Sequence, residues 1–230
     1  MTTSSASSRP RPRPAEIPLV ARKRVARLWH PAHLVDLWRR REAVRFVRDW
    51  LGDLEGVEVG GSSNNDFGLR VVNVDRYPTD DTVYKRHERD LEGWVREVDI
   101  VATGDTLPFT DDSHDFVFAS HVLEHIPDPI AALEDWRRVA RRWVVVVLPH
   151  RDRTFDRDRD LTSVEELLER HRTNFASDED KHWSVWTCES FLELCAAIGA
   201  PVAASRDPDR RNGNGFIVVI SAEDQASSTA

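Results

Sequence analysis

Short apolar runs alternate with amphipathic stretches over most of the chain, and each predicts a different element. Runs rich in Val and Phe predict β-strands at 57–61, 69–75, 99–102, 115–120, 144–148, 202–205 and 216–220. Apolar residues at helical spacing predict helices at 129–142, 163–172 and 187–198, the last capped by Gly199. Continuous apolar strands are typical of parallel sheets covered by helices on both faces. The pattern therefore predicts an α/β fold with a doubly wound, mostly parallel, seven-stranded sheet.

The region before the first strand has a different pattern. Residues 17–52 form a predicted helical extension, with two helices that break near His30-Pro31 and one apolar face on the second. Its many Arg residues have two interpretations: attraction to an anionic surface, or a solvated face on a helix that packs against the main domain. Residues 1–16 and 223–230 are polar and predict disordered tails, which leaves 53–222 for the main domain.

Composition narrows the classes of protein. The chain has 230 residues, enough for one domain with tails, and its net charge of −8 argues against nucleic acid as the main partner. No apolar run reaches 18 residues and the start lacks an apolar signal core, so we expect a cytoplasmic protein. Cys188 and Cys195 stand without further Cys, which predicts two buried thiols in a reducing compartment.

Candidate chemistry follows the ends of the first two strands, because ligands bind beyond the C-terminal ends of strands in an open α/β sheet. The first strand ends in Glu58-Val59-Gly60-Gly61-Ser62, where glycines allow a ligand to approach the backbone and Ser62 adds a donor. The second ends in Asp75, whose carboxylate can accept two hydrogen bonds from a ribose diol. Capping of a loop is the alternative for Asp75.

The next two strands end in equally distinctive residues. The third leads into Gly104-Asp105-Thr106-Leu107, in which Asp105 can accept a hydrogen bond from an exocyclic amine and Leu107 can cover a flat ring. The fourth runs into Ser120-His121-Val122-Leu123-Glu124-His125, which places two imidazoles and a carboxylate at the same edge.

This series resembles the class I, Rossmann-like S-adenosylmethionine-dependent methyltransferases over about residues 57–150. The segment GDTLPFTDDSHDFVFASHVLEHIPDP, residues 104–129, is similar to that family's adenine-binding loop, fourth strand and following loop. The later segments PHRDRTFDRDRDLT and HWSVWTCESF are similar to a bacterial subgroup associated with glycosyltransferases and cell-surface polysaccharide synthesis. The resemblance implies S-adenosylmethionine as cofactor and methyl transfer, by O-methylation, to a small-molecule or saccharide acceptor.

The resemblance also implies a role for each matching position. The methionine part would face Glu58, Gly60, Gly61 and Ser62; the ribose would meet Asp75 and Arg76; adenine would contact Gly104, Asp105, Thr106 and Leu107; and Ser120 and His121 would lie beneath the sulfonium. The chain departs from the family pattern at Ser62 and Asn64, which replace glycines. The interval before Asp75 is also short, so we expect the first crossover helix to be shortened or missing.

Methylation of a hydroxyl also requires removal of its proton, for which imidazole is suited. The candidate catalytic residues are His121, His125 and His150. The alternative for His125 is a hydrogen bond to the backbone of its own turn. Ligand spacing at His150, Asp152 and Asp156 is not tight, so we expect no metal site.

The residues after the cofactor half carry a further expectation. Residues 151–186 are predicted to cover the acceptor side, with Arg binding anionic groups and Trp stacking on a sugar; the alternative is a loop held by its own Arg–Asp pairs, with the Trp in the core. A non-catalytic module that pairs with a glycosyltransferase through residues 18–52 is the alternative function.

Overall fold

A computed structural model describes residues 42–61, 67–78, 82, 85–86, 89–90, 96–209 and 213–223. All of them belong to the compact unit Arg39–Ala230. The predicted break near His30-Pro31, the tail 1–16 and residues 224–230 of the second tail lie outside this described part. No helix within it is long and apolar enough to cross a membrane.

The described residues form one seven-stranded sheet, as predicted. Its strands are β1 (Glu55–Val59), β2 (Arg70–Asp75), β3 (Ile100–Val101), β4 (His114–Ser120), β5 (Ala140–Pro149), β6 (Val202–Arg206) and β7 (Gly215–Ser221). Their order is β3-β2-β1-β4-β5-β7-β6. The first five strands are parallel, and β7 runs antiparallel to both β5 and β6. The C-terminal ends of β1 to β5 therefore meet at one edge, where a doubly wound sheet binds ligands.

Helices cover both faces of the sheet. Four helices of the described part carry this cover: α1 (residues 42–51), α2 (Pro129–Val139), α3 (Val164–Arg172) and α4 (Cys188–Ala197). Trp136 of α2 and Phe191 of α4 belong to one buried core, while Val47 and Leu51 of α1 belong to the other. The described end of the helical extension thus packs its apolar face on its own sheet. This agrees with the interpretation of that region as a helix that packs against the main domain.

The ends of the helices depend on different contacts. Gly199 follows α4 with a φ of +67°, as the sequence predicted for a cap. The prediction that the helix from Pro129 extends to Arg142 is wrong: α2 ends at Val139, and Ala140–Arg142 begin β5. Pairing of Ala140 with His114 and an Arg141–Asp115 ion pair of 3.0 Å draw these residues into the sheet. Sheet contacts with β4 therefore override the helical pattern.

The connection from β1 to β2 is short for a parallel crossover. Residues 60–69 alone join the two strands, and 62–66 of these lie outside the described part. Phe67 and Leu69 are buried against the same face as α1, and the Phe67 ring lies 4.9 Å from that of Phe118. Phe67 and Leu69 thus fill space that a crossover helix covers in longer connections.

Candidate cofactor and substrate cavity

A cavity of about 1550 Å³ opens at the C-terminal ends of β1 to β4. Sites for one small molecule commonly occupy about 300–1,000 Å³, so this cavity has room for a cofactor and an acceptor together. It is lined by nine of the residues that the sequence nominated: Gly60, Asp75, Arg76, Gly104, Asp105, Thr106, Ser120, His121 and His125. The two carboxylates at positions 75 and 105 therefore flank a single cavity.

Four nominated residues do not line this cavity, and a fifth, Ser62, lies outside the described residues. Glu58 is buried with its Oε2 3.3 Å from Nη1 of Arg96. Gly61 is buried where a Cβ would meet the side chains of Glu58 and Asn73. Leu107 belongs to the core, and its backbone N–H donates to Asp135. The fourth, His150, lies against Asp207 instead.

Two glycines keep the backbone of the cavity close to its neighbours. Gly60 has a φ of +66°, and a Cβ there would lie 2.5 Å from Cγ2 of Val122. At Gly104 a Cβ would lie 3.1 Å from Cγ1 of Val59, and the Gly104 carbonyl accepts a 2.6 Å hydrogen bond from Nε1 of Trp136. Both positions thus let a ligand lie directly against the main chain, as a bound nucleoside requires.

Asp75 is held by two partners at the end of β2. Its Oδ1 accepts the backbone N–H of Tyr77 at 2.8 Å, and its Oδ2 lies 3.1 Å from Nζ of Lys85. Lys85 is 2% exposed and also donates to the Tyr77 carbonyl. A carboxylate offers about four acceptor positions, so two remain for a diol. Sequence reasoning missed Lys85; its one signal was a lysine in a chain whose basic residues are nearly all arginine.

The turn after β4 carries a buried carboxylate beside two imidazoles. His121 has a φ of +57°, and its backbone N–H donates to Val147 on β5, which fixes the turn on the sheet. Burial lowers the pKa of His121, but its contact with Glu124 and the charges of Glu124 and Asp209 outweigh this, so the pKa is raised. Glu124 itself is fully buried.

The loop after α3 forms the opposite wall of the cavity. Nη2 of Arg76 lies 2.6 Å from Oδ1 of Asp178 in this loop. The backbone N–H of Trp183 donates to the Glu124 carbonyl at 2.7 Å. His182 Nδ1 lies 2.5 Å from Oδ2 of Asp156, whose other oxygen binds Arg159 at 2.6 Å. Parts of the predicted 151–186 region therefore line the cavity facing the strand ends.

Known proteins resemble this chain in sequence and in fold. Residues 60–148 match the family model described as a methyltransferase domain. A curated protein of Mycobacteroides abscessus, named an uncharacterized methyltransferase, is 30% identical over 125 residues. That match covers 51% of this chain and 46% of the relative, so the chain spans about half the length of the curated protein it matches.

Solved structures show the same architecture. A methyltransferase of Thermotoga maritima, described as a possible histamine N-methyltransferase, is similar with a TM-score of 0.51 and 17% identity, over 87% of this chain and 98% of that one. A methyltransferase of Aquifex aeolicus is similar with a TM-score of 0.50 and 14% identity, over the same shares of the two chains. This chain has the class I methyltransferase fold. The matches support the resemblance to S-adenosylmethionine-dependent enzymes; the glycosyltransferase-associated subgroup stays a prediction.

His150 faces away from the cavity of this methyltransferase fold. Its Nε2 lies 3.8 Å from Oδ2 of Asp207, its ring meets Phe216, and burial lowers its pKa. The backbone N–H of Asp152 donates to the His150 ring. Since Asp156 instead faces His182, the structure does not gather His150, Asp152 and Asp156 into a ligand set.

The Trp and Arg residues of 151–186 serve partly to hold the structure. Trp186 is 1% exposed and packs against Phe191, so it belongs to the core. Trp183 lies under Nζ of Lys181 at 3.8 Å. Arg–Asp pairs occur within the loop, as Arg159 with Asp156 shows. The alternative of a loop held by its own ion pairs therefore describes part of this region, while other residues of it line the cavity.

Proposed function

We propose that this protein binds S-adenosylmethionine in the cavity and transfers its methyl group to a hydroxyl of a small-molecule or saccharide acceptor. The observation that carries the proposal is the placement of Asp75 and Asp105 on one cavity, with Gly60 and Gly104 exposing main chain between them. The match of residues 60–148 to a methyltransferase domain supports the choice of cofactor.

The cavity residues fit the cofactor in chemistry as well as position. Asp75 would accept the two ribose hydroxyls with the acceptor positions that Tyr77 and Lys85 leave open. Asp105 would accept a hydrogen bond from the exocyclic amine of adenine. The bound cofactor supplies an electrophilic methyl group on a sulfonium, and the protein has to align the acceptor and exclude water.

The remaining volume and its lining suit an acceptor with hydroxyl groups. Phe155 lines the cavity and is 78% exposed, so its ring is available to stack on a sugar face. His121 and His125 also line it and can take up the proton of the hydroxyl, whereas His150 faces Asp207. Of the three imidazoles nominated, His121 and His125 are therefore the proposed proton acceptors.

The alternative, a non-catalytic module that pairs with a glycosyltransferase, loses part of its proposed docking region. Residues 42–51 already bury Ala43, Val47 and Leu51 in their own domain. The rest of the 18–52 region lies outside the described residues. Cofactor binding distinguishes the two functions, because a module without activity needs no affinity for S-adenosylmethionine.

Calorimetric titration with S-adenosylhomocysteine, the demethylated product, tests the proposal. We expect binding by the unmodified chain, and a loss of about 1–3 kcal/mol for Asp75→Ala and for Asp105→Ala, the scale of lost hydrogen bonds to buried groups. Glu55→Ala is the matched control, because this exposed carboxylate lies at the opposite end of β1. Affinity that is absent in the unmodified chain, or unchanged in both Asp variants, would contradict the assignment.

A further inference from the structure

Three side chains of the cavity bring together atoms that bind metal ions. Glu124, His125 and His182 each offer one such atom, and these atoms lie within 4.8 Å of one another. Glu124 and His125 belong to a 3₁₀ turn, Leu123–His125, directly after β4, while His182 comes from the loop after α3. All three line the cavity.

Glu124 lacks the partners that a buried carboxylate needs. It is fully buried, and neither of its oxygens has a hydrogen-bond donor among the described residues. Nδ1 of His121 lies 3.5 Å from Oε1, which is longer than a normal hydrogen bond. This imidazole compensates part of the charge at Oε1, while Oε2 has no partner among the described residues. Buried charges in proteins are paired or coordinate metals, because an unpaired charge is costly to bury. Glu124 thus points independently to a cation.

His182 is held as metal-binding histidines usually are. Its Nδ1 lies 2.5 Å from Oδ2 of Asp156, which is 2% exposed and is itself bound by Arg159. A carboxylate on one ring nitrogen fixes the tautomer and orientation and leaves the other nitrogen for a metal. Oδ1 of Asp180 lies 3.1 Å from Nδ1 of His125, so this ring also has a carboxylate beside it.

Backbone hydrogen bonds fix the two halves of the cluster to each other. The N–H groups of Trp183 and Ser184 both donate to the Glu124 carbonyl, at 2.7 and 3.3 Å. The rings of His125 and His182 are nearly perpendicular, at 89°, with centroids 4.7 Å apart. The cluster is therefore built before any ion arrives, which reduces the cost of binding one.

We propose that Glu124, His125 and His182 bind a divalent transition-metal cation in the cavity. One carboxylate and two imidazoles suit Mn²⁺, Fe²⁺, Co²⁺ or Zn²⁺ rather than Ca²⁺, which prefers oxygen ligands alone. This departs from the sequence prediction of no metal site. It also assigns His125 to the metal and leaves His121 as the proposed proton acceptor.

The site would select the acceptor, and this role rests on the proposed function. Glu124, His125 and His182 line the cavity, and three protein ligands would leave further coordination positions of the cation for an acceptor. A hydroxyl oxygen, or two on neighbouring carbons, would occupy such positions and be held where the methyl group is transferred. The chemical class favoured is thus an acceptor with hydroxyl groups, as in a saccharide.

Metal binding can be measured on the full chain without activity. After treatment with EDTA and dialysis, the protein is titrated with Mn²⁺ by electron paramagnetic resonance and with Zn²⁺ by calorimetry. We expect one site per chain, an affinity at least about 100-fold lower in Glu124→Gln and His182→Asn, and about 10–100-fold lower in Asp156→Asn, as for residues that orient a ligand. His114→Asn, at the far end of β4, is the matched control and keeps the affinity.

Circular dichroism distinguishes a variant that has lost its metal ligand from a variant that has unfolded. Glu124→Gln removes the charge and keeps the size of the side chain, so the spectrum and melting curve of the metal-free variant show whether it still folds. No binding of either ion by the unmodified chain, or undiminished binding by folded Glu124→Gln and His182→Asn, would overturn the proposal. Titration with S-adenosylhomocysteine in the absence of metal separates the two proposals. If S-adenosylhomocysteine does not bind, the proposed function is refuted, whereas the metal site is decided by the metal titration alone.

Discussion

Replacement of Gly60 by alanine tests how closely the turn after β1 approaches its neighbours. Gly60 has a φ of +66°, and this left-handed conformation costs a residue with a Cβ about 1–2 kcal/mol. The new Cβ would lie 2.5 Å from Cγ2 of Val122, and relief of such a contact costs about 1–3 kcal/mol. We therefore expect the free energy of unfolding to fall by about 2–5 kcal/mol, the two contributions together.

Gly199→Ala separates these two contributions. Gly199 has nearly the same φ, +67°, but a Cβ there would have no atom within 4 Å. Its loss of stability should therefore be only the conformational part, about 1–2 kcal/mol. Urea unfolding of both variants, with the slopes compared to ensure the same transition, measures the difference.

The same pair of variants reports on the cavity. Val122 lines it beside Gly60, so displacement of Val122 should also weaken binding of S-adenosylhomocysteine, whereas Gly199→Ala should leave that affinity unchanged. Equal losses of stability in the two variants would refute the reasoning, because they would mean that the turn after β1 can move away from Val122 without cost.

Three further predictions concern buried groups. Lys85→Met removes the cation beside Asp75 and should lower the free energy of unfolding by about 1–3 kcal/mol in urea; unchanged stability would contradict the ion pair. Trp136→Phe removes the donor to the Gly104 carbonyl and should cost about 0.5–1.5 kcal/mol, with weaker binding of S-adenosylhomocysteine in calorimetry. Burial raises the pKa of Cys195 from 9.0 to about 12, so the unfolded chain loses this proton first as pH rises. Stability should then fall between these values by up to about 1.4 kcal/mol per pH unit relative to Cys195→Ala, and parallel pH profiles would contradict this.

The sheet was predictable because its signal is local. A strand such as 144–148 is a run of apolar residues that needs cover on both faces, and the structure places Val144 and Val146 in one core and Val145 and Val147 in the other. Of the two thiols predicted to be buried, Cys195 is buried, whereas Cys188 is only partly buried. The residues at which helices and strands begin and end were less predictable, since the end of α2 depends on pairing of Ala140 with β4.

The edge that carries the cavity also followed from the sequence, but the direction of single side chains did not. Asp75 and Asp105 were expected to line one cavity because parallel strands end at the same edge, and they do. Val57 and Val59 both enter the core beneath α2. Because side chains alternate along a strand, the side chain of Glu58 between them points to the other face of the sheet. His150 likewise ends a strand at the right edge and still faces Asp207.

The order of apolar and polar residues thus determined the fold class, the seven strands and the edge at which the chemistry lies, because periodicity and strand ends are properties of neighbouring residues. The tertiary structure alone decided which distant groups meet there. Lys85 reaches Asp75 from beyond β2, and His182 joins Glu124 and His125 from the loop after α3. These contacts depend on the paths of loops across the sheet, which are set by packing and long-range hydrogen bonds rather than by any local pattern.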